Sequence, residues 1–291
     1  MPGLLSRATR GCQAMKDRAK GLTALVFTSL IWGSSFIFIK LSVSDIDGIA
    51  YTFYRAMLAL AVLTPVVLVY KRGLSPSSLK KSFIVGLSYI IGLALQGLGT
   101  EFTTPSISAF VTGLNTVFVY IYEFFKGTGS WIRLSTSLVL STIGLFLLTK
   151  PSGELTLGVI LVLAGAVAWA VEIILVSVWN RDLSDDTLSF LIGLLLPGLL
   201  LAPYIIVADK TIPSASTLLF ILYLSLFCTI VASILQVLGQ KYVPAYAAAT
   251  IYLLEPVSAM IFSVAFYGER PVPEQVAGSI LILIAIYIAS K

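Results

Sequence analysis

Ten apolar stretches make up most of this chain, and each is close to the ~20 residues that an α-helix needs to cross the hydrocarbon core of a bilayer. They lie near residues 21–41, 49–70, 82–99, 106–126, 134–149, 156–178, 187–208, 216–238, 245–267 and 274–290. The chain is 58% hydrophobic and only 11% charged, whereas a soluble domain carries about 25% charged residues. We therefore predict an all-α integral membrane protein with ten transmembrane helices, located as a multi-pass protein in the cell (plasma) membrane.

The lysines and arginines are distributed unevenly between the two ends of these helices. With the N-terminus inside, 14 of the 19 lie on the cytoplasmic side, 4 lie outside and Arg55 lies within a helix. This bias predicts an even number of crossings with both termini cytoplasmic. Residues 1–20 carry five basic residues and no signal-peptide cleavage pattern, so we predict a basic cytoplasmic tail there. Lys40, at the outer end of the first helix, is expected to extend toward the lipid head groups.

Several classes of function are excluded by what the sequence lacks. It has no histidine, and its two cysteines, Cys12 and Cys228, suggest neither a disulfide framework nor a metal site. Histidine-based metal sites and nucleophile pairs are therefore excluded, and we expect no metal, no cofactor and no enzymatic activity. An intramembrane enzyme and a channel are the rival classes. A channel should show a continuous polar face along several helices, which this sequence does not.

The sequence repeats itself with an offset of about 140 residues. Residues 95–102 (LQGLGTEF) match residues 235–242 (LQVLGQKY) at an offset of 140, and Trp32 matches Trp169 at an offset of 137. The first five predicted helices therefore resemble the last five. We predict two repeats, over residues 21–149 and 156–290.

An odd number of helices per repeat requires the second copy to enter the membrane from the opposite side. Glu101 and Lys241 occupy equivalent positions at predicted outer and inner helix ends, and their charges are opposite, as orientation by charge requires. A 5+5 inverted repeat around a central cavity is an architecture typical of transporters. The alternative is an old duplication without a transport role.

A set of short motifs resembles a known family. The motifs are residues 32–40 (WGSSFIFIK), Arg55, residues 254–257 (LEPV) and residues 268–270 (GER). Together they resemble the EamA family of the drug/metabolite transporter superfamily, over roughly residues 21–290. The resemblance implies a ten-helix 5+5 inverted fold with a central cavity, and export of amino acids, other metabolites or drugs. An aromatic amino acid exporter of this family is similar in architecture.

The first half departs from the family pattern at two places. Residues 128–130 (TGS) stand where the second half has residues 268–270 (GER), and Asn115 stands where the second half has Glu255. Because the family's substrate range is wide, these departures weaken the assignment of a substrate but leave the predicted fold unchanged.

Two carboxylates within the apolar stretches are the leading candidates for substrate binding, because a charge at the bilayer centre costs about 2.5–3.5 kcal/mol. Glu172 is expected about 12 Å deep, facing a substrate amine or a proton; the alternatives are a hydroxyl partner or Arg181. Glu255 precedes Pro256, which frees the carbonyl of Tyr252 and places a carboxylate one turn from it. That arrangement suits a cation or a proton, and the alternative is a structural kink.

Arg55 and several neutral residues complete the predicted site. Arg55 is expected to pair with a glutamate, to hold a substrate carboxylate, or to extend to the outer head groups. Asn115 and Ser35 are the repeat equivalents of Glu255 and Glu172. The tryptophans could stack on an apolar substrate or simply pack between helices. The remaining members are two symmetric pairs, Trp32 with Trp169 and Gln96 with Gln236.

The apolar stretches contain three glutamates, Glu123, Glu172 and Glu255, against the one deep arginine, Arg55. They do not provide the basic cavity that a phosphorylated substrate requires. The sequence therefore favours a membrane transporter, an exporter by alternating access, of amino acids, amines or related amphipathic compounds. Proton-coupled efflux of lipophilic cations is the alternative, and facilitated diffusion is equally compatible. The expected partners are a small-molecule substrate, the lipid bilayer and protons, with no nucleic acid.

Overall fold

The computed structural model of the chain describes residues 2–70, 73–127, 130–149, 156–208, 212–267 and 270–290, and within them every regular element is helical. The unbroken helices are α1 (Pro2–Val43), α2 (Gly48–Val69), α3 (Pro76–Glu101), α5 (Trp131–Thr149), α6 (Leu157–Val178) and α10 (Pro273–Ala289). The interrupted helices are α4 (Pro105–Gly113 and Asn115–Lys126), α7 (Thr187–Leu195, the 3-10 turn Leu196–Leu201, and Ala202–Val207), α8 (Ala215–Tyr223, the π-helix Leu224–Val231, and Ala232–Gln240) and α9 (Ala245–Tyr252 and Leu254–Tyr267). A short helix, Asn180–Asp185, joins α6 to α7.

The all-helical membrane fold predicted from the apolar stretches is confirmed. Within the described residues, nine helices are long and apolar enough to cross a membrane, and α10 is a shorter apolar helix of 17 residues. Each predicted stretch lies largely within one of these helices. A crossing by α10, and the cytoplasmic position of both termini, stay predictions. The predicted tail continues into α1, whose helix begins at Pro2.

Two close glycine contacts reveal how the halves are related. A Cβ on Gly99 of α3 would lie 2.7 Å from the carbonyl oxygen of Gly158 of α6, and a Cβ on Gly239 of α8 would lie 3.0 Å from that of Gly21 of α1. The repeat equivalent of Gly99 is Gly239, at an offset of 140, and the repeat equivalent of Gly158 is Gly21, at an offset of 137. The second contact is therefore the first one with the two halves exchanged. Such an exchange is what a two-fold relation between the two halves produces, and only glycine allows the backbones to approach so closely.

A third glycine pair lies between α5 and α10, which are equivalent helices of the two halves. A Cβ on Gly144 would lie 2.7 Å from the carbonyl oxygen of Gly278, and a Cβ on Gly278 would lie 2.5 Å from that of Gly144. The two contacts are nearly reciprocal, as expected where equivalent helices meet beside a two-fold axis. The contact between α5 and α10 therefore lies on or near the pseudo-two-fold axis.

Helices α4 and α9 are both interrupted at their midpoints. The break in α4 is at Leu114, whose N–H donates to Val111 O at 3.2 Å, and the break in α9 is at Leu253, whose N–H donates to Thr250 O at 3.2 Å. Both helices thus tighten locally to the i→i+3 hydrogen-bond pattern of a 3-10 turn. The breaks fall at nearly equivalent positions in the two repeats, so each half contributes one interrupted helix to the centre of the molecule.

Lys40 does not extend to the head groups as the sequence suggested. Its Nζ donates to three backbone carbonyls at the end of α3, those of Thr100 at 2.8 Å, Glu101 at 3.0 Å and Thr103 at 2.9 Å. The last carbonyls of a helix lack internal partners and carry partial negative charge, which a cation satisfies. Lys40 is therefore a C-terminal cap that joins α1 to α3.

Candidate functional site

A central cavity lies between the two halves. Side chains from α1, α2, α3 and α4 of the first half and from α6 and α9 of the second half border it. The lining residues are Trp32, Ser35, Phe36, Arg55, Leu93, Gln96, Thr112, Asn115, Trp169, Glu172, Ile173, Tyr252 and Glu255.

The structure brings nine of the ten predicted site residues to this cavity. The exception, Gln236, lies fully buried behind Glu172 and donates its Nε2 to Glu172 Oε2 at 2.9 Å. Their participation in substrate binding stays a prediction.

Sequence reasoning missed four lining residues, and the repeat carries a signal for three of them. Phe36 and Ile173 are repeat equivalents of each other at an offset of 137, and Thr112 is the equivalent of Tyr252 at 140. Applying the repeat to each chosen residue would have found Thr112. Leu93 has no comparable signal.

The helix breaks place Asn115 and Glu255 at the cavity. Asn115 begins the second part of α4, and Glu255 lies in the first turn of the second part of α9. Backbone that leaves the regular helical pattern at membrane depth is tolerated where it lines a cavity, and the positive end of a helix dipole favours a carboxylate. Discontinuous helices of this kind form the substrate and ion sites of many secondary transporters.

The two glutamates have different surroundings. Glu172 is fully buried, whereas Glu255 is partly exposed to the cavity and its carboxylate has no hydrogen-bond partner among the described residues. The alternative pairing of Glu172 with Arg181 is wrong, because no ion pair within the described part of the chain joins them and Gln236 is the partner instead. One carboxylate is therefore held by a neighbour, and the other faces open space.

Arg55 is buried at 3% exposure and does not reach the head groups. Its Nη1 donates to Tyr51 Oη at 2.6 Å, its Nε to Thr229 Oγ1 at 2.7 Å and its Nη2 to the carbonyl of Cys228 at 3.1 Å. Within the described residues it has no carboxylate partner, so the expected pairing with a glutamate is absent. Arg55 instead ties α2 to α8 while its side chain borders the cavity.

The π-helical segment of α8 makes that attachment possible. The N–H of Ala232 donates to Phe227 O and Thr229 O rather than to Cys228 O. The freed Cys228 carbonyl accepts from Arg55 Nη2 and from Trp32 Nε1, the latter at 2.8 Å. π-Helical turns occur frequently at functional sites. Neither hydropathy nor the repeat signalled this one, because its equivalent region in α3 is regular α-helix.

Aromatic rings form one wall of the cavity. The ring centroids of Trp32 and Tyr252 are 5.1 Å apart, and those of Trp32 and Trp169 are 6.5 Å apart. Tyr252 donates its hydroxyl to Gln240 Oε1 at 3.2 Å, which fixes its orientation. The Nε1 of Trp169 is buried without a hydrogen-bond partner. The wall combines apolar ring faces with one unused donor.

The other predicted residues occupy the first-half side. Gln96 donates its Nε2 to Thr112 Oγ1 at 3.1 Å, and Ser35 donates its hydroxyl to Trp32 O at 2.6 Å. The GER loop motif and its counterpart lie outside the described residues at positions 268–269 and 128–129. Among the described residues, no group of three or more His, Cys, Asp or Glu side chains could hold a metal ion.

Two halves exchanged by a pseudo-two-fold relation, each with an interrupted helix at a shared cavity, define the class of small-molecule membrane transporters built from inverted repeats. The chain belongs to the EamA-like transporter family, whose model matches it twice, over residues 19–150 and 156–291. It is a multi-pass membrane protein, and its relatives point to transport and not to an enzyme.

Relatives and a solved structure agree with this assignment. An uncharacterized transporter of Archaeoglobus fulgidus is 29% identical over 91% of this chain and 84% of its own length, and a second from the same organism is 26% identical over 91% and 96%. The uncharacterized transporter YetK of Bacillus subtilis is 24% identical over 86% of this chain and 80% of its own. A crystal structure covering 94% of this chain and 97% of its own superposes with a TM-score of 0.73 at 17% identity, which shows the shared fold alone.

Proposed function

We propose that the protein exports small amphipathic metabolites, amino acids and amines in particular, through the central cavity by alternating access. The observation that carries the proposal is the position of the cavity, which both halves border at the breaks of α4 and α9. Rocking of one half against the other opens such a site to either side of the membrane. The proposed location is the plasma membrane, with both termini in the cytoplasm.

The lining chemistry supports a substrate with an ammonium group and an apolar body. Glu255 offers an unoccupied carboxylate, and the rings of Trp32 and Tyr252 offer an apolar face beside it. Arg55 is the single cation of the lining and is already engaged with three protein groups. A phosphorylated substrate would find no cationic cluster here. Aromatic amino acids and aromatic amines combine the favoured features.

Efflux of lipophilic cations is the second candidate. Aromatic faces next to a carboxylate also bind quaternary or delocalised cations through cation–π attraction. Flux of a labelled aromatic amino acid or amine without flux of a lipophilic cation, or the reverse, separates the two candidates.

Flux measurements on the full chain in liposomes test the proposal. Uptake of labelled aromatic amino acids, aromatic amines and a lipophilic phosphonium ion is measured with and without a pH gradient. We expect saturable flux of at least one class, lost in Glu255→Gln and retained in Glu274→Gln, which changes an exposed glutamate of α10. No saturable flux of any member by correctly folded protein would overturn the substrate assignment.

A further inference from the structure

The carboxyl group of Glu172 and the amide of Gln236 lie side by side between α6 and α8, each fully buried. We propose that this pair is a proton-binding site: Glu172 carries the proton on Oε1, and Gln236 is the positioning residue that holds the protonated acid. The presence of the proton is independent of the transported substrate. Its use in transport rests on the function proposed above.

The first argument is the lack of compensation for a charge. Glu172 is 0% exposed, and its carboxyl group accepts a hydrogen bond from the neutral amide of Gln236 at 2.9 Å. No lysine or arginine of the described residues forms an ion pair with it. An ionised carboxylate that is buried without a cationic partner is strongly disfavoured, and protonation is the usual outcome. Burial and surroundings thus favour the neutral acid.

The second argument is the inventory of unsatisfied atoms. Glu172 Oε1 and Gln236 Oε1 are both buried acceptors without a hydrogen-bond partner, and they belong to two side chains already joined by another bond. A proton on Glu172 Oε1 turns that atom into a donor and leaves Gln236 Oε1 as a free acceptor for it. A carboxylic acid and an amide are complementary in donors and acceptors, so one proton can provide a hydrogen bond for both Glu172 Oε1 and Gln236 Oε1.

The equivalent positions of the first half need no proton. Ser35 stands where Glu172 stands, and its hydroxyl is satisfied by Trp32 O. Gln96 stands where Gln236 stands, and its amide donates to Thr112 Oγ1. The proton-binding pair is thus a departure from the repeat, confined to the second half.

The groups around Glu172 are compatible with this assignment. Tyr89 of α3 and Tyr252 of α9 lie near it and contribute phenol groups. From α1, the neutral indole of Trp32 borders the same cavity. Arg55 of α2 and Glu255 of α9 are the charged groups on that cavity, and neither bonds to Glu172. Glu172 lines the cavity but its Oε1 is buried, so release of the proton requires a rearrangement that opens Oε1 to the cavity, and it leaves a carboxylate behind.

Infrared spectroscopy of the full chain in liposomes tests the site without any substrate. A protonated carboxylic acid has a carbonyl stretching band distinct from that of a carboxylate, and the band moves in deuterium oxide. We expect such a band at neutral pH in the wild type, its loss in Glu172→Gln and its persistence in Glu255→Gln. Wild-type and Glu172→Gln spectra that are identical in this region would overturn the proposal.

Two glutamine variants provide a second test that leaves the carboxyl group in place. Gln236→Leu removes the amide partner and should shift the band to higher frequency, whereas Gln96→Leu, its repeat equivalent, should leave it unmoved. Equal spectra for the two variants would overturn the role of Gln236.

Flux measurements separate this inference from the proposed function. If both hold, the response of the flux to a pH gradient is lost in Glu172→Gln and kept in Glu274→Gln. If the protein carries no tested substrate while the band behaves as expected, the proposed function fails and the proton site stands.

Discussion

The two halves of the molecule share their architecture but differ in how their polar groups are satisfied. In the first half, Trp32 Nε1 donates to Cys228 O, and no side-chain atom of Ser35 or Gln96 is buried without a partner. In the second half, Trp169 Nε1 and Gln236 Oε1 are buried without partners, and Glu255 faces the cavity unpaired. The repeat therefore builds the frame twice, while the groups available for binding are concentrated in the second half.

The cause of one of these differences lies in the helix that each tryptophan faces. The π-helical segment of α8 frees the carbonyl of Cys228, which accepts from Trp32 Nε1. In α3 the corresponding helix is regular, and Gly92 of that helix packs against the ring of Trp169, where a Cβ would lie 3.1 Å from the ring. A regular helix has no spare carbonyl to offer. A local change of helix type in one half thus decides which tryptophan keeps a free donor.

The largest expected effect separates Glu255 from its repeat equivalent Asn115. Glu255→Gln removes the carboxylate that would pair with the ammonium group of a bound substrate. Loss of one partner of a buried charge pair costs about 2–5 kcal/mol of binding free energy, which lowers substrate affinity by roughly 30-fold or more. Asn115→Ala removes a neutral side chain and should weaken affinity by about tenfold or less. Equilibrium binding of a labelled substrate to purified protein measures both. Equal losses would contradict the concentration of binding groups in the second half.

The second prediction compares the glycine contacts that the repeat relates. A Cβ in Gly99→Ala would lie 2.7 Å from Gly158 O and 2.9 Å from Val162 N, both backbone atoms. In Gly239→Ala the nearest atoms belong to the side chain of Leu25, at 2.7 Å, and the nearest backbone atom, Gly21 O, is at 3.0 Å. A backbone carbonyl cannot move as a leucine side chain can, so Gly99→Ala should be the more destabilising, within the ~1–3 kcal/mol typical of overpacking. Thermal denaturation in detergent measures the difference. A larger effect at Gly239 would contradict the close approach of α3 and α6.

Hydropathy and the repeat predicted much of this frame, for physical reasons that also mark their limits. A spanning helix must be apolar along its length, so consecutive apolar residues show where it lies. Glu172 was chosen as a charge within such a stretch and Ser35 as its repeat equivalent at an offset of 137, and both border the cavity.

What could not be predicted depends on contacts between distant residues. The break at Leu114 has no proline to announce it, unlike the break before Pro256, and Thr116 beside it donates to Ala249 O at 3.0 Å across the halves. The partner of Glu172 was equally hidden, because Gln236 lies 64 residues away in sequence and reaches it only through the packing of α6 against α8. Tertiary packing overrides local pattern at these places.

The third prediction tests the unequal tryptophans. Trp32→Phe removes the N–H that donates to Cys228 O and leaves that carbonyl with Arg55 alone, so we expect a loss of about 1 kcal/mol beyond the loss of ring contacts. Trp169→Phe removes an N–H that has no partner, and it should cost only the ring contacts. Because both variants shorten the same ring, the difference between their melting temperatures isolates the hydrogen bond. A greater destabilisation by Trp169→Phe would indicate that its N–H has a partner.

The smallest effect is expected in the loops outside the membrane, where Asp45 and Asp185 lie 140 residues apart at equivalent positions. The N–H of Ser214 lowers the pKa of Asp45, and the ammonium of Lys241, 2.7 Å from Asp185 Oδ1, lowers the pKa of Asp185. A lowered pKa in the folded state stabilises the fold above the ordinary pKa of aspartate, and this stabilisation is lost as the pH falls through the lowered value. Because Asp185 is exposed, the effect should be small and weakened by salt.

Lys241→Met should raise the pKa of Asp185 and leave the pKa of Asp45 unchanged, as followed by carboxyl NMR titration. The small difference in melting temperature between this variant and the wild type should vanish in acid. A shift in the pKa of Asp45 would show that the loop contacts of the two halves are not independent. A difference in melting temperature that grows as the pH falls would contradict the stabilising effect of the Lys241–Asp185 pair.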